Sequence, residues 1–280
     1  MIIMDWENIK VKPIWAKSKE EIWVEKFEPL IEQNRSISMA RRIPLWGYAA
    51  GLLIPLLLFF QLFTITESAK RGEQKVVQLP DRSTVTLNAA SKLSYHPFIW
   101  LIARKGTITR SGVFSRISQS WLFTRKVRFE GEAFFNVKPG SLFSVQTGDN
   151  RVNVLGTSFN IHARTGVYRV TCLTGQVEVQ TEQGVAVLNP NMQATMYDRK
   201  LNITGDVTPS VATGWMQGMF VFAGAPLGEV IVEIERRYNI YVTPDYDANL
   251  LFTGIFSKTE NPEEVLEIVG KAFDITFNIK

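Results

Sequence analysis

Cysteine, histidine and internal repetition are scarce in this sequence. The 280 residues include one cysteine, Cys172, and two histidines, so we expect neither an internal disulfide nor a structural zinc site. No glycine period or simple repeat is present, which excludes a collagen-like chain. A hydrophobic fraction of 45% with 21% charged residues excludes extensive disorder. The composition therefore predicts one large or two small globular domains without a metal or other cofactor.

Charge is missing from residues 43–66, where 24 consecutive residues are uncharged and 13 of them are Leu, Ile or Phe. A helix of this length covers roughly 36 Å, against roughly 30 Å for the hydrocarbon core of a bilayer. The stretch begins too late for a cleaved signal peptide, and buried core helices rarely lack a polar face over such a length. We therefore predict a single-pass membrane protein with an uncleaved transmembrane helix over 43–66.

Three residues inside this predicted span bear on its packing. Pro55 cannot donate a hydrogen bond to the carbonyl of Gly51, and Gly47 with Gly51 has the GxxxG spacing of helix pairs. A kink or a helix dimer is one interpretation, and ordinary packing tolerance is the other. The positive-inside rule gives no orientation, because residues 26–42 and residues 67–82 each carry four Lys or Arg.

The charged residues form three blocks on either side of this span. Residues 1–42 carry a net charge of +1, residues 67–208 carry +8 and residues 209–280 carry −5. The sequence pI of 9.1 therefore arises from a basic middle block and not from the whole chain. We expect no direct nucleic-acid partner.

The first block predicts an amphipathic helix. Ser18 and Glu21 have the spacing of a capping box, and an apolar face follows at Trp23, Phe27, Leu30 and Ile31. A segment of 42 residues is too short to bury this face in a core of its own. The face would therefore bind a membrane surface or another protein, unless the segment is a loosely ordered tail.

The other two blocks differ in character. Residues 67–208 carry short strands separated by turns, among them 127–129 and 133–137, which predicts a sandwich, a barrel or a solenoid of stacked strands. Residues 209–280 predict the order β-α-β-β-α-β, with helices opening at Pro226 and at Asn261-Pro262 on one face of a small sheet. Residues 199–213 are the predicted linker.

Several motifs in this order resemble the periplasmic domain of FecR-type transmembrane anti-sigma factors. They are LPDRS at 79–83, GEAFFNV at 131–137, VLGTSFN at 154–160 and LTGQV at 173–177. Residues 209–280 look like the short STN-like domain shared by secretins and TonB-dependent receptors, so the resemblance covers about residues 72–280. The family's usual Pro-Asp-Gly-Ser turn has Arg82 in place of glycine, which predicts a turn that does not need a positive φ.

A long basic stretch departs from the family pattern. Residues 96–128 contain seven Arg or Lys, no acidic residue and several aromatic side chains. We expect an inserted β-hairpin or an ordered loop that faces the membrane or a partner.

No spacing of residues predicts an enzyme. The candidate side chains of the middle block are interpreted as satisfied surface or turn residues, and Gly-Glu-Ala-Phe at 131–134 is interpreted as the entry of a strand; the candidates are Asp81, Glu130, Glu132, His96 and His162. One exception is the Gly156-Thr157 bond, since a threonine hydroxyl can attack the preceding carbonyl of a strained peptide in a self-cleavage. The simpler interpretation is a glycine turn followed by a threonine that begins a strand.

The resemblance implies a signal relay in the bacterial inner membrane. The N-terminal segment would lie in the cytoplasm and bind an extracytoplasmic-function (ECF) sigma factor through Trp23, Phe27, Leu30 and Ile31. The two later blocks would lie in the periplasm and sense the signalling domain of a TonB-dependent outer-membrane receptor. The alternative is a membrane-anchored periplasmic scaffold that binds a partner without controlling a sigma factor.

Overall fold

A computed structural model of the chain describes residues 17–29, 51, 55, 63–97, 100, 124–164, 166–197, 200–243, 246–257 and 261–280. The chain divides into two compact units, residues 1–57 and residues 58–280. The first unit contains helix α1 (Lys19–Lys26). Most of the predicted span at 43–66 lies outside the described residues, and within those residues no helix has the length and apolar character needed to cross a bilayer.

The second unit begins with a domain whose described residues form thirteen strands in one continuous sheet. Nine strands follow the order β11-β10-β7-β6-β5-β8-β9-β12-β13, and the first four join through β5. The strand bounds are β1 Ile65–Ala69, β2 Lys75–Gln78, β3 Thr84–Leu87, β4 Ser91–Tyr95, β5 Arg125–Asn136, β6 Phe143–Thr147, β7 Asn150–Val154, β8 Ser158–Arg164, β9 Val167–Thr174, β10 Val177–Thr181, β11 Gly184–Leu188, β12 Gln193–Tyr197 and β13 Lys200–Thr204.

Strand β5 folds this sheet into two layers. Its first half pairs with β4 and, in parallel, with β6, whereas its second half pairs with β3 and β8. The change of partners falls at Gly131, whose φ of +108° favours glycine. The sequence predicted two separate strands, at 127–129 and 133–137, because the pattern shows a break and cannot show that one strand continues through it.

The core lies between the two layers. Phe135 from the second half of β5 packs against Phe129 of the first half, with ring centroids 5.4 Å apart, and against Phe159 at 5.0 Å. Phe135 also meets Phe143 of the opposite layer at 6.4 Å. These phenylalanines are fully or almost fully buried, so alternate positions of β5 contribute to one core from both layers.

Two expectations from the sequence are wrong: one concerns a turn of this domain, and the other concerns the residue at which the domain begins. Arg82 has a φ of +69°, so the turn does use the left-handed region that the family's glycine would adopt freely. Strand β1 begins at Ile65, where it pairs with Tyr95, so the last two residues of the predicted span 43–66 belong to the β domain. The hydropathy pattern did not distinguish Ile65 and Thr66 from the predicted span, because both residues are uncharged whether they belong to a transmembrane helix or to a strand.

The C-terminal module has the predicted order β-α-β-β-α-β. Its strands nevertheless form two separate two-stranded sheets, β14 with β16 and β15 with β17, in place of one small sheet. The module is preceded by a short α2 and a 3-10 helix (Gly214–Gln217), so the predicted linker at 199–213 consists largely of β13 and α2. The bounds are α2 Pro209–Thr213, β14 Met219–Pro226, α3 Leu227–Tyr238, β15 Val242–Thr243, β16 Leu251–Ser257, α4 Pro262–Lys271 and β17 Asn278–Ile279.

Helix α4 begins at the predicted signal, whereas α3 begins at Leu227, with Pro226 as its N-cap and the last residue of β14. Asn261 caps α4 by accepting a hydrogen bond from the amide of Glu263 at 3.0 Å, with Pro262 in the first turn. The apolar face of α3 is buried in a core separate from that of the β domain. Each part of the second unit therefore has its own hydrophobic core.

Candidate functional site

The predicted sigma-factor-binding face begins on helix α1. Ser18 accepts a hydrogen bond from the amide of Glu21 at 3.2 Å, and Glu21 accepts one from the amide of Ser18 at 2.9 Å, which confirms the capping box. Trp23 and Phe27 stack with ring centroids 4.8 Å apart and remain 56% and 43% exposed.

The structure describes only some of the other residues of this face and of the predicted span. Leu30, Ile31 and Gly47 are outside the described residues, whereas Gly51 and Pro55 are helical and exposed. What the structure presents on α1 is thus one exposed, stacked aromatic pair.

The candidate self-cleavage bond lies in the segment between β7 and β8. Thr157 is 4% exposed, and its carbonyl accepts a hydrogen bond from the amide of Val137 at 2.9 Å. A Cβ on Gly156 would lie 2.7 Å from the Cα of Pro139, so close packing explains the glycine. The Thr157 Oγ1 is buried without a hydrogen-bond partner in the part of the chain that the structure describes, so no described group activates it.

Asp81 of the LPDRS motif has a structural role. Its carboxylate accepts hydrogen bonds from the amide and the hydroxyl of Ser83 at 2.9 and 2.7 Å and forms a buried ion pair with Arg125. Arg125 also donates to the carbonyls of Lys138 and Ser141. The motif therefore ties the β2–β3 turn to the start of β5.

Glu132 and His162 meet in the second layer of the β domain. They face each other across β5 and β8, and His162 Nδ1 lies 3.5 Å from Glu132 Oε1. Asn88 Nδ2 donates to Glu132 Oε2 at 2.8 Å, and Asn160 Nδ2 donates to Oε1 at 3.3 Å. Glu132 is buried, so its interpretation as a surface or turn residue is wrong.

The same cluster continues into the C-terminal module. Asn88 Nδ2 also donates to Glu233 Oε1 on α3 at 3.2 Å, so one amide joins buried carboxylates of both parts. Glu233 Oε2 accepts from Arg236 Nη1 at 2.8 Å and lies 3.9 Å from Arg164 Nε.

Backbone and indole contacts complete this connection. Trp215 Nε1 donates to Asn160 Oδ1 at 3.3 Å, and the Trp215 carbonyl accepts from Gln74 Nε2 at 2.8 Å. The amide of Gly72 donates to the carbonyl of Arg236 at 2.8 Å. We call this cluster the polar joint; its side chains are Asn88, Glu132, Asn160, His162, Arg164, Trp215, Glu233 and Arg236.

The electrostatics of the joint favour an ionised Glu132. Burial alone would raise the pKa of this carboxyl, but His162, the Arg164 guanidinium and the Asn88 hydrogen bond together hold its pKa well below the usual range. A buried carboxylate with such partners is stable only while they surround it.

A cleft of about 730 Å³ adjoins the joint. Its β-domain wall carries polar side chains such as Arg169 and Thr195, and its module wall is formed by β14 and α3. The two parts are therefore incompletely packed against each other beside their polar contacts.

The comparisons with known proteins agree with this architecture. A profile of the FecR protein matches residues 65–178, and a profile of the FecR C-terminal region matches residues 219–280. Two crystal structures of a candidate anti-sigma factor from Parabacteroides distasonis, at 2.50 and 1.65 Å, each superpose with a TM-score of 0.63 and 30% identity. They cover 76% and 75% of this chain and 93% and 92% of their own. No curated protein matches the sequence significantly.

The chain belongs to the FecR family of anti-sigma factors. The FecR profile begins at residue 65, the first residue of β1, and the C-terminal profile begins at residue 219, the first residue of β14. The profile boundaries thus coincide with the start of the two folded parts of this FecR-family chain.

Sequence reasoning missed the polar joint of this FecR-family protein. Glu132 and His162 were considered singly, and Glu233 and Arg236 were not identified as candidate residues. One signal was available, because an acidic residue in the apolar strand GEAFFNV requires a partner if its side chain points inward. Its partner Asn88 is 44 residues away in the sequence, and no local pattern identifies it.

Proposed function

We propose that this FecR-family chain is a transmembrane anti-sigma factor that relays a periplasmic signal to an ECF sigma factor. The cytoplasmic segment would be residues 1–42, the span would begin at residue 43, and the two later parts would lie in the periplasm. The family match over both later parts carries the proposal. The proposed activity is regulated binding without substrate turnover.

The exposed aromatic pair on α1 supports a protein-binding role for the N-terminal unit. Trp23 and Phe27 are the kind of side chain that contributes most to binding when buried in a partner's pocket. Their stacking holds both rings on one side of the helix before binding, which reduces the entropy lost on association. We propose that this pair contacts the sigma factor and that Leu30 and Ile31 extend the contact.

The periplasmic partner in this proposal is the signalling domain of a TonB-dependent outer-membrane receptor. Support comes from the family's relay function and from the presence of two folded parts, each with its own core, beyond the proposed span.

Co-purification of the full chain with individual ECF sigma factors of the same organism tests the cytoplasmic step. The variant Trp23→Ala/Phe27→Ala is expected to reduce capture of the cognate sigma factor at least tenfold, because two buried aromatic anchors are lost. Ile22→Ala is the matched control, since Ile22 is an exposed apolar residue, 41% exposed, on another side of the same helix.

Two results would contradict the proposal. Capture of no ECF sigma factor would favour the periplasmic scaffold, and equal capture by the double variant would exclude this helix face as the contact. The topology has its own test: alkaline phosphatase fused after Lys280 should be active, and the same enzyme fused after Arg35 should be inactive.

A further inference from the structure

The β domain and the C-terminal module are joined by polar groups and not by a shared apolar core. Two separate hydrophobic clusters lie on either side, and the joint between them contains carboxylates, guanidinium groups and amides. Interfaces of this kind within one chain are typical of parts that move relative to each other.

Trp215 shows how this connection differs from a core. Its side chain is 6% exposed, yet it belongs to neither hydrophobic cluster. Its indole is held by the hydrogen bond to Asn160 of the β domain. The burial of Trp215 therefore depends on docking of the two parts.

Charged and amide groups of the two parts face each other in the docked arrangement. Glu233 faces Arg164 from β8, Arg236 from its own helix and Asn88 from the β domain. On separation, Glu233 and Arg236 would return to water, whereas Glu132 would keep His162 and Asn160. Because the gain from pairing is opposed by the loss of hydration, the net stability of such a joint is small compared with its many contacts.

The cleft next to the joint also indicates that little apolar surface is packed between the two parts. A void of about 730 Å³ between β14, α3 and the second layer of the β domain means that separation exposes little additional packed apolar surface there.

We propose that the polar joint is a reversible latch: the C-terminal module docks on and releases from the β domain as a folded body, with the contacts of Glu233 and Trp215 setting the balance. Docked and released states then differ in the exposure of α3 and of the Glu132 surface, while both cores persist. Such an element gives a periplasmic partner two states between which to select.

Amide hydrogen exchange of the full chain in detergent micelles, resolved at single residues, tests the latch. The Gly72 amide reports on docking because it donates to the Arg236 carbonyl across the joint. Amides within α3 report on the module's core, and amides of β8 and β9 report on the β domain.

Glu233→Gln removes the charge that Arg164 and Arg236 share, and Trp215→Phe removes the indole donor while keeping an aromatic ring. Each variant is expected to raise exchange at Gly72 at least tenfold and to leave α3, β8 and β9 unchanged. Glu267→Gln is the control, because it removes an exposed ion pair, Glu267 with Lys271, in the same module.

Two outcomes would overturn the proposal. If Gly72 exchange is unchanged in both variants, these contacts do not hold the parts together. If protection of α3, β8 and β9 falls together with that of Gly72, the second unit is one cooperative body and the module does not release as a folded part.

Discussion

Replacing Gly131 by alanine tests the bend that divides the β domain into two layers. A Cβ at this position would lie 2.4 Å from Ser91 Oγ, 2.7 Å from its Cβ and 2.8 Å from its Cα. The φ of +108° is also one that alanine rarely adopts. Ser91 cannot simply turn away, since its hydroxyl donates to the carbonyl of Glu132 and accepts from the amide of Glu132, both at 3.0 Å.

The two costs of Gly131→Ala add because they have different origins. Backbone strain costs about 1 to 3 kcal/mol, and overpacking against a backbone atom costs about 1 to 3 kcal/mol. We expect a loss of about 4 kcal/mol in the free energy of unfolding, which for a unit of this size lowers Tm by roughly 8 to 16 °C. Thermal unfolding of the full chain in detergent, followed by near-ultraviolet circular dichroism, measures this shift.

Gly148→Ala is the matched control for this prediction. Gly148 has a φ of +55°, and a Cβ added there would have no atom within 4 Å, so its replacement introduces strain without a clash. The expected loss is about 1 to 2 kcal/mol. If Gly131→Ala costs no more than Gly148→Ala, the close approach of β5 to Ser91 does not determine the bend, and the reasoning is refuted.

Three further changes test single residues. Arg82→Gly should raise the free energy of unfolding by up to about 1 kcal/mol in a denaturant titration, because it relieves a positive φ at some cost in unfolded-state entropy. Thr157→Val should raise it by about 1 kcal/mol, since a buried hydroxyl without a described partner is removed. The lowered pKa of Glu132 stabilises the fold above the carboxyl's unfolded pKa of about 4.3, and this contribution is lost as pH falls through the folded value. Glu132→Gln should therefore show a flatter dependence of Tm on pH between about 5 and 2.

Controls sharpen these three tests. Thr171→Val should destabilise by about 1 kcal/mol, because Thr171 Oγ1 donates to Gln193 Oε1 at 2.9 Å. If Thr157→Val is destabilising, this hydroxyl does have a partner. If the parent chain is found as two fragments cleaved at Gly156-Thr157 and the variant is not, self-cleavage through the Thr157 hydroxyl is supported. A lower free energy of unfolding in Arg82→Gly would contradict the prediction for that turn. A dependence of Tm on pH in Glu132→Gln equal to that of the parent would contradict the prediction for Glu132.

Local patterns predicted the elements better than their connections. The capping box at Ser18 and the helix start at Asn261-Pro262 were predicted and confirmed, because both depend on residues within one turn. The two short strands assigned around Gly131 are one bent strand, since a change of pairing partners leaves the alternation of side chains on either side intact.

The candidate sites divide in the same way. Trp23 and Phe27 were identified from helical spacing, and the structure adds only that their rings stack and are exposed. The polar joint was not predicted, because its central contact joins Asn88 to Glu233, 145 residues apart.

The sequence by itself determined the family, the β-α-β-β-α-β order of the C-terminal module, the caps at Ser18 and Asn261 and the apolar face of α3. These follow from short motifs and from periodicities of two and 3.6 residues, which each element carries within itself. Only the tertiary structure decided that β5 serves both layers, that Arg82 adopts a positive φ, and that Asn88 joins the buried carboxylates of Glu132 and Glu233 from the two folded parts. Such features arise when distant segments come together, and the burial of a charge then depends on partners that no local spacing specifies.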